Sequence, residues 1–202
     1  MKNAPVLYVV NHISWLDIVI LGAVLPRASF VAKSEIAEWG AVGWLASLQH
    51  TIFVDRSSRH DSANQRDTLL SSLQRKDSVI LFPEGTSTVG QKVLPFKSSL
   101  FAVAEQAKKQ LDIDVAVQPV TLAFTKIDNM PLTRQRRPLV AWVGDMELVD
   151  HARDILDTGS VTAHVHLHEP LYLRDGLNRK TMSQKAEQVI AAKLDALNNH
   201  RP

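Results

Sequence analysis

One stretch near the N-terminus does most to set the architecture: Val6-Leu7-Tyr8-Val9-Val10-Asn11-His12-Ile13-Ser14-Trp15-Leu16-Asp17. Its first five residues form an apolar, largely β-branched run that ends at Asn11, which predicts a buried strand. The imidazole of His12 and the carboxylate of Asp17 follow that strand directly. Ligands of open α/β sheets bind beyond the carboxyl ends of the strands. His12 lies two residues after this strand, and Glu84 lies two residues after another predicted strand, at 79–82, so we expect both to project into the same crevice.

Similar apolar runs recur along the chain and alternate with stretches of helical period. Strands are predicted at 6–10, 29–32, 51–54, 79–82, 115–120, 139–143 and 161–167. Helical period is found at 63–74, 97–110 and 182–197. Strands that alternate with helices favour a parallel sheet. The expected fold is therefore a single α/β domain over residues 1–202, with a mostly parallel mixed sheet of about seven strands covered by helices on both faces.

Composition excludes several classes of protein. With 202 residues, of which 45% are hydrophobic and 22% charged, the chain matches an ordinary globular domain. A net charge of only +2, and an Arg cluster at 134–137 without interleaved aromatic residues, argue against nucleic-acid binding. The absence of Cys excludes disulfides, thiolate catalysis and Cys-based zinc sites.

The longest apolar runs are too short to span a membrane. The two candidates, 13–25 and 36–48, are interrupted by Asp17 and Glu38. A helix that crosses a bilayer needs about 18 or more apolar residues. No signal peptide is expected either, since the chain enters its first strand almost at once.

His12 and Asp17 have the chemistry of a general base and its partner. A neutral imidazole near pH 7 accepts a proton, and a carboxylate on its far nitrogen fixes the tautomer and stabilises the imidazolium. This requires His12 in a loop and Asp17 in the first turn of the next helix. A structural interpretation competes with it, because Ser14 followed three residues later by Asp17 also resembles a capping box with Ser14 as the N-cap.

A second motif follows the predicted strand at 79–82. Phe82-Pro83-Glu84-Gly85-Thr86 is at minimum a tight turn in which Gly85 supplies a positive φ. Further elements appear in a fixed order: Lys33-Ser34-Glu35-Ile36, Ile52-Phe53-Val54-Asp55-Arg56, Phe96-Lys97 and Val117-Gln118-Pro119-Val120. Together with the His-x4-Asp motif, they make residues 6–125 resemble the glycerolipid (lysophospholipid) acyltransferase family.

The resemblance implies an activity and roles for individual residues. His12, oriented by Asp17, would deprotonate the hydroxyl of a lysolipid, which would attack an acyl thioester (acyl-CoA or acyl carrier protein) without an acyl-enzyme. The residues implied in acceptor binding are Arg56, Glu84, Gly85, Thr86 and Lys97. No metal and no cofactor beyond the thioester co-substrate are expected. The implied location is peripheral, on the cytoplasmic face of the cell membrane. Relatives often carry hydrophobic helices ahead of the His-Asp motif; either this protein lacks them or the sequence is a piece of a longer chain.

Position 87 departs from the family pattern. The family commonly has Arg after Glu-Gly-Thr, where it suits phosphate, whereas this chain has Ser87. Lys92 or Lys97 are candidates for the missing charge. The longer string from Glu84 to Lys97 resembles the branch that acylates lyso-ornithine lipids. The expected acceptor is 1-acylglycerol-3-phosphate, which dominates the family, with lyso-ornithine lipid as the alternative.

Two functions of other classes remain open from the residues alone. Ser14 with His12 suggests a lipid hydrolase, although no Gly-x-Ser-x-Gly elbow is present. A non-catalytic lipid- or zinc-binding module is the other, because three histidines alternate on one predicted strand. Several groups are either membrane contacts or ordinary loop and core residues. These are the Arg cluster at 134–137, Trp15, Trp39 and Trp44.

Overall fold

The computed structural model describes residues 5–25, 28–33, 51–54, 59–144 and 146–199. Its strands are β1 Val6–Val10, β2 Ala28–Lys33, β3 Ile52–Val54, β4 Ser78–Leu81, β5 Ala116–Ile127, β6 Met130–Pro131 and β7 Val161–Leu167. Its helices are α1 Leu16–Val24, α2 Arg59–Gln74, α3 Ala102–Leu111, α4 Leu148–Asp157 and α5 Arg179–Asn198. Short 3-10 helices cover Ser98–Phe101, Arg137–Leu139 and Leu173–Asp175.

The strands form one sheet of seven, in the order β3-β2-β4-β1-β5-β6, with β7 also paired to β5. The first five are parallel, and β6 and β7 run antiparallel to β5. This confirms the predicted α/β class with a mostly parallel sheet. Because β1 and β4 are parallel neighbours, the loops that leave their carboxyl ends lie side by side, and these loops carry His12 and Glu84.

Apolar layers cover both faces of the sheet, as the alternation along β1 shows. Leu7 and Val9 enter a core built with α2, α3 and α5. Tyr8 and Val10 face a second core, to which α1 and α4 contribute Leu21 and others. Buried apolar area stabilises by about 25 cal/mol per Å². A strand that is apolar on both sides therefore belongs in the middle of the sheet, which is where β1 lies.

The predicted strand at 139–143 is wrong. The segment instead contains the 3-10 helix Arg137–Leu139, and the N–H groups of Val140 and Ala141 both donate to the Arg137 carbonyl at 3.1 Å. Val140 and Ala141 are still buried, so the apolar pattern reflects the burial of these residues and not pairing in a β-sheet. Sequence analysis also missed the two-residue β6 and helix α4, and it treated 97–110 as one helix where the structure has a 3-10 turn followed by α3.

Of the three histidines predicted to share one face, two contact each other, and one of these also contacts Thr121. His164 and His166 are exposed, and His168 follows the strand, with its Nε2 2.8 Å from Thr121 Oγ1. The rings of His166 and His168 meet edge to face, with centroids 4.7 Å apart. In the described ranges no group of three or more His, Cys, Asp or Glu side chains could hold a metal ion.

Burial of His168 predicts a pH dependence of stability. Burial, together with the charges of His166 and Lys193, lowers the pKa of His168 to about 4. Between its ordinary value near 6.5 and 4, the unfolded chain binds a proton that the folded chain does not. The free energy of unfolding should therefore fall as pH decreases through this window. Urea unfolding at pH 7 and pH 4.5 should show a smaller decrease for His168→Gln than for the wild type; equal decreases would contradict this prediction.

Candidate active site

The carboxylate of Asp17 organises the loop that follows β1. Asp17 lies in the first turn of α1, and its side chain is fully buried. One oxygen, Oδ2, accepts hydrogen bonds from His12 Nδ1 at 2.8 Å, from the Ile13 N–H at 2.7 Å and from the Ser14 N–H at 3.0 Å. The structure thus brings His12 and Asp17 within hydrogen-bond reach, in the loop and first-turn positions that the sequence predicted.

The imidazole of His12 is held on two sides. Since Oδ2 of Asp17 is the acceptor, Nδ1 carries the proton and Nε2 keeps its lone pair. The ring stacks on Phe82 with centroids 4.1 Å apart and an interplanar angle of 21°. The His12 side chain is 18% exposed, and no residue in the described ranges hydrogen-bonds Nε2. A partly open nitrogen in a fixed ring is suited to accept a proton from a bound hydroxyl.

Ser14 does not take the role of N-cap. The residue before α1 is Trp15, which makes no side-chain capping bond, and the buried Ser14 Oγ has no hydrogen-bond partner. The capping-box interpretation is therefore wrong for Ser14, although Asp17 does bind N–H groups ahead of the helix. The same geometry gives no support to Ser14 as a nucleophile, because its hydroxyl is buried and makes no hydrogen bond to His12.

Glu84 connects the loop after β1 to the loop after β4. Its side chain is only 4% exposed, and each oxygen accepts one backbone N–H. Oε1 binds the His12 N–H at 2.8 Å, and Oε2 binds the Leu94 N–H at 2.7 Å. Burial raises the pKa of the Glu84 carboxyl, and the two N–H donors oppose that shift. A direct contact with an acceptor would have to replace one of these bonds, so the acceptor-binding role of Glu84 stays a prediction.

Gly85, Thr86 and Lys97 lie together at the same turn. Gly85 has φ +76°, and a Cβ there would collide with Lys97 Nζ, so the lysine side chain passes over the glycine. The Lys97 N–H donates to the Pro83 carbonyl at 2.9 Å, which fixes the lysine beside the turn. Both Thr86 and Lys97 are exposed. Arg56, the remaining predicted acceptor contact, lies outside the described residues, as do Trp39 and Trp44.

The turn after Glu84 forms hydrogen bonds to the loop after β1 and to Trp142, which is distant in sequence. The Thr88 N–H donates to the His12 carbonyl at 2.9 Å. The Ser87 hydroxyl donates to the Trp142 carbonyl, and the Trp142 N–H donates to the Ile13 carbonyl at 3.0 Å. Sequence analysis missed Trp142, and no signal was available, because these contacts use its backbone. Trp15 is also bound within the fold, since its indole N–H donates to His151 Nδ1 at 3.0 Å.

Known proteins resemble the chain at three levels. The family model described as Acyltransferase matches residues 1–123. A lyso-ornithine lipid O-acyltransferase of Brucella abortus is 40% identical over 196 residues, covering 96% of this chain and 73% of that protein. A 1-acyl-sn-glycerol-3-phosphate acyltransferase of Neisseria gonorrhoeae is 37% identical over 139 residues, covering 69% of this chain and 51% of that protein.

A solved structure shares the fold. It is the 1-acyl-sn-glycerophosphate acyltransferase PlsC of Thermotoga maritima, with a TM-score of 0.64 and 20% identity. The match covers 98% of this chain and 68% of that one. At this identity the likeness supports the architecture alone, and the relatives are all longer than this chain.

The geometry of Glu84 predicts a loss of activity in Glu84→Gln. A glutamine offers one acceptor oxygen, so its NH₂ would face the N–H of His12 or of Leu94 and leave a buried donor unpaired, at a cost of about 1–3 kcal/mol. We expect turnover to fall by about tenfold or more while the protein stays folded, as measured by initial rates and thermal unfolding.

Glu105→Gln is the matched control for this change. Glu105 Oε1 also accepts one backbone N–H, that of Arg179 at 2.8 Å, but this hydrogen bond is exposed to solvent and Glu105 is only partly buried, on α3. The activity of the Glu105→Gln variant should stay within about twofold of wild type. Equal activities of the two variants would contradict the assigned role of Glu84.

Proposed function

The chain belongs to the acyltransferase family of enzymes, and on that basis we propose that it transfers a fatty acyl group from an acyl thioester to the free hydroxyl of a lysolipid. One observation carries the proposal. His12 Nδ1 lies 2.8 Å from the buried Asp17 carboxylate, so in the neutral imidazole the proton belongs on Nδ1 and the lone pair on Nε2, in a side chain that is partly exposed. That is the arrangement of a general base directed at a substrate.

The proposed reaction needs no covalent enzyme intermediate. His12 Nε2 takes the proton of the acceptor hydroxyl as its oxygen attacks the thioester carbonyl, and Asp17 stabilises the imidazolium that forms. The tetrahedral intermediate collapses with cleavage of the carbon–sulfur bond, and the imidazolium returns the proton to the thiolate. The products are the acylated lipid and the free thiol of the carrier. Acyl-CoA and acyl carrier protein both fit this scheme as donors.

The proposed acceptor is a lyso-ornithine lipid. The Brucella abortus protein of that name aligns with 96% of this chain, whereas the phosphate-acceptor relative of Neisseria gonorrhoeae aligns with 69%. Ser87, where the family commonly has Arg, points the same way. The second candidate is 1-acylglycerol-3-phosphate, favoured in the sequence analysis, and the exposed Lys97 beside Gly85 supports it as a phosphate contact. Gly85, Thr86 and Lys97 are proposed as acceptor contacts in either case.

We also propose that the enzyme works at a membrane surface on the cytoplasmic side. None of the described helices is long and apolar enough to cross a bilayer. Helix α1 starts beside His12, and its exposed residues Val19, Ala23 and Val24 are all apolar. Arg134 is exposed as well and would add about 1 kcal/mol near anionic lipid. Through the exposed face of α1, the acceptor would reach the site without leaving the bilayer.

Activity tests decide between the proposed reaction and its alternatives. The protein is incubated with labelled acyl-CoA or acyl carrier protein and a panel of lysolipids, and products are identified by mass spectrometry. Because a positioned base contributes about 10²–10⁴ in rate, His12→Ala should lose at least about a hundredfold in transfer while remaining folded. His164→Ala, which removes an exposed histidine on β7, is the control and should keep wild-type activity.

One outcome would reject the proposed mechanism, and another would reject the proposed function. Undiminished transfer in a folded His12→Ala protein would exclude His12 as the base. Thioester hydrolysis without transfer, lost in Ser14→Ala but kept in Asp17→Asn, would favour a hydrolase instead.

The membrane proposal has its own matched pair of variants. Val19 on α1 is 39% exposed and Val189 on α5 is 40% exposed, but the two helices cover opposite faces of the sheet. Val19→Glu should reduce co-flotation with phosphatidylglycerol-containing vesicles by about fivefold or more, because a charge replaces an apolar contact. Val189→Glu should leave it unchanged. Equal effects of the two changes would contradict docking through α1.

A further inference from the structure

We propose that Ser87 is a positioning residue. It holds the loop after β1, which carries His12, in place through the backbone of the 137–142 segment. This segment, residues 137–142, is irregular apart from the 3-10 helix Arg137–Leu139. It lies beyond the part of the chain that the family model matches, which ends at residue 123. The inference rests on the proposed function, since it concerns the same site.

One residue of the 137–142 segment, Trp142, contacts both the loop after β1 and the loop after β4. The Trp142 N–H donates to the Ile13 carbonyl at 3.0 Å, next to His12. The Trp142 carbonyl accepts the Ser87 hydroxyl, three residues after Glu84. One peptide unit on each side of Trp142 therefore joins the loop after β1 to the loop after β4. In these two hydrogen bonds Ser87 acts through its side chain, so its hydroxyl can be removed without altering the backbone groups.

A second contact of the same segment supports this assignment. The guanidinium of Arg137, whose residue is 6% exposed, donates from Nη1 to the Gly90 carbonyl at 3.3 Å. Asn198 Nδ2, from the last residue of α5, donates to the same carbonyl at 2.9 Å. A Cβ at Gly90 would lie 2.7 Å from Ile13 Cδ1, so this end of the loop packs directly on the residue after His12. The loop is thus held at 87 and again at 90.

The hydrogen bond of the Ser87 hydroxyl to Trp142 has a consequence for acceptor recognition. A serine hydroxyl has one proton to donate, and in Ser87 it is donated to the Trp142 carbonyl, so it is not available to a head group. Where the family commonly places an arginine suited to phosphate, this chain has a residue engaged within the protein. Loss of the hydroxyl should therefore slow turnover of every acceptor alike and leave the preference among acceptors unchanged.

Steady-state kinetics with two acceptors test the proposal. Ser87→Ala should reduce kcat about tenfold with lyso-ornithine lipid and with 1-acylglycerol-3-phosphate, because small displacements of a catalytic group are costly. The KM for each acceptor should change less than about twofold. Ser87→Thr, which keeps a hydroxyl, should restore most of the rate. Ser71→Ala is the control, since it removes a hydroxyl-to-carbonyl bond, to Asp67 at 2.8 Å, on the distant helix α2.

Hydrogen exchange provides a readout that does not depend on activity. In Ser87→Ala, the Thr88 and Trp142 amides, which donate to His12 and Ile13, should exchange several-fold faster, while the thermal unfolding midpoint stays within about 3 °C of wild type. Ser71→Ala should show neither change.

The possible results separate this inference from the proposed function. A changed KM or a shifted acceptor preference in Ser87→Ala would identify Ser87 as a head-group contact and overturn the inference. Unchanged kinetics together with unchanged exchange would overturn it as well. Faster exchange at Thr88 and Trp142 in a protein whose wild type acylates no lysolipid would uphold the positioning role and reject the proposed function.

Discussion

The interaction on which the site depends is the acceptance of three donors by one carboxylate oxygen. Asp17 Oδ2 binds His12 Nδ1 and the N–H groups of Ile13 and Ser14, in a side chain that is fully buried. Removing a carboxylate from water is expensive, and short charge-assisted hydrogen bonds are what offset that cost. The same three bonds close the loop between β1 and α1 and, in the neutral His12 ring, favour the tautomer with its proton on Nδ1. The same carboxylate oxygen therefore orients the His12 ring and fixes the backbone of the loop that carries it.

A second buried carboxylate extends this arrangement across the sheet. Glu84 leaves the end of β4, which is the parallel neighbour of β1, and binds the backbone N–H of His12 with one oxygen and that of Leu94 with the other. Phe82, from the same connection, stacks on the His12 ring. The base is therefore held by its ring, by its ring nitrogen and by its backbone. The order of strands, with β4 beside β1, makes the Phe82 and Glu84 contacts possible, whereas the Asp17 contact is local to the connection between β1 and α1.

The parts of the site that sequence could predict are those in which side chains carry the signal. His12 and Asp17 follow a buried strand at a spacing that fits a loop and a first helical turn, and they do meet. The 137–142 segment shows the limit. Its apolar residues predicted a strand. In the structure, N–H groups of the segment instead bond to the Arg137 carbonyl, and Trp142 bonds to the loops after β1 and β4. Backbone groups are the same in every residue, so contacts such as those of Trp142 leave no trace in a sequence.

The most direct test of this account is the tautomer of His12, observed by ¹⁵N NMR of imidazole-labelled protein at neutral pH. Because Asp17 accepts from Nδ1, the account predicts a proton on Nδ1 and none on Nε2, with that preference lost in Asp17→Asn. A neutral ring that carries its proton on Nε2 in the folded wild type would contradict it, since the nitrogen facing the acceptor could then take no proton.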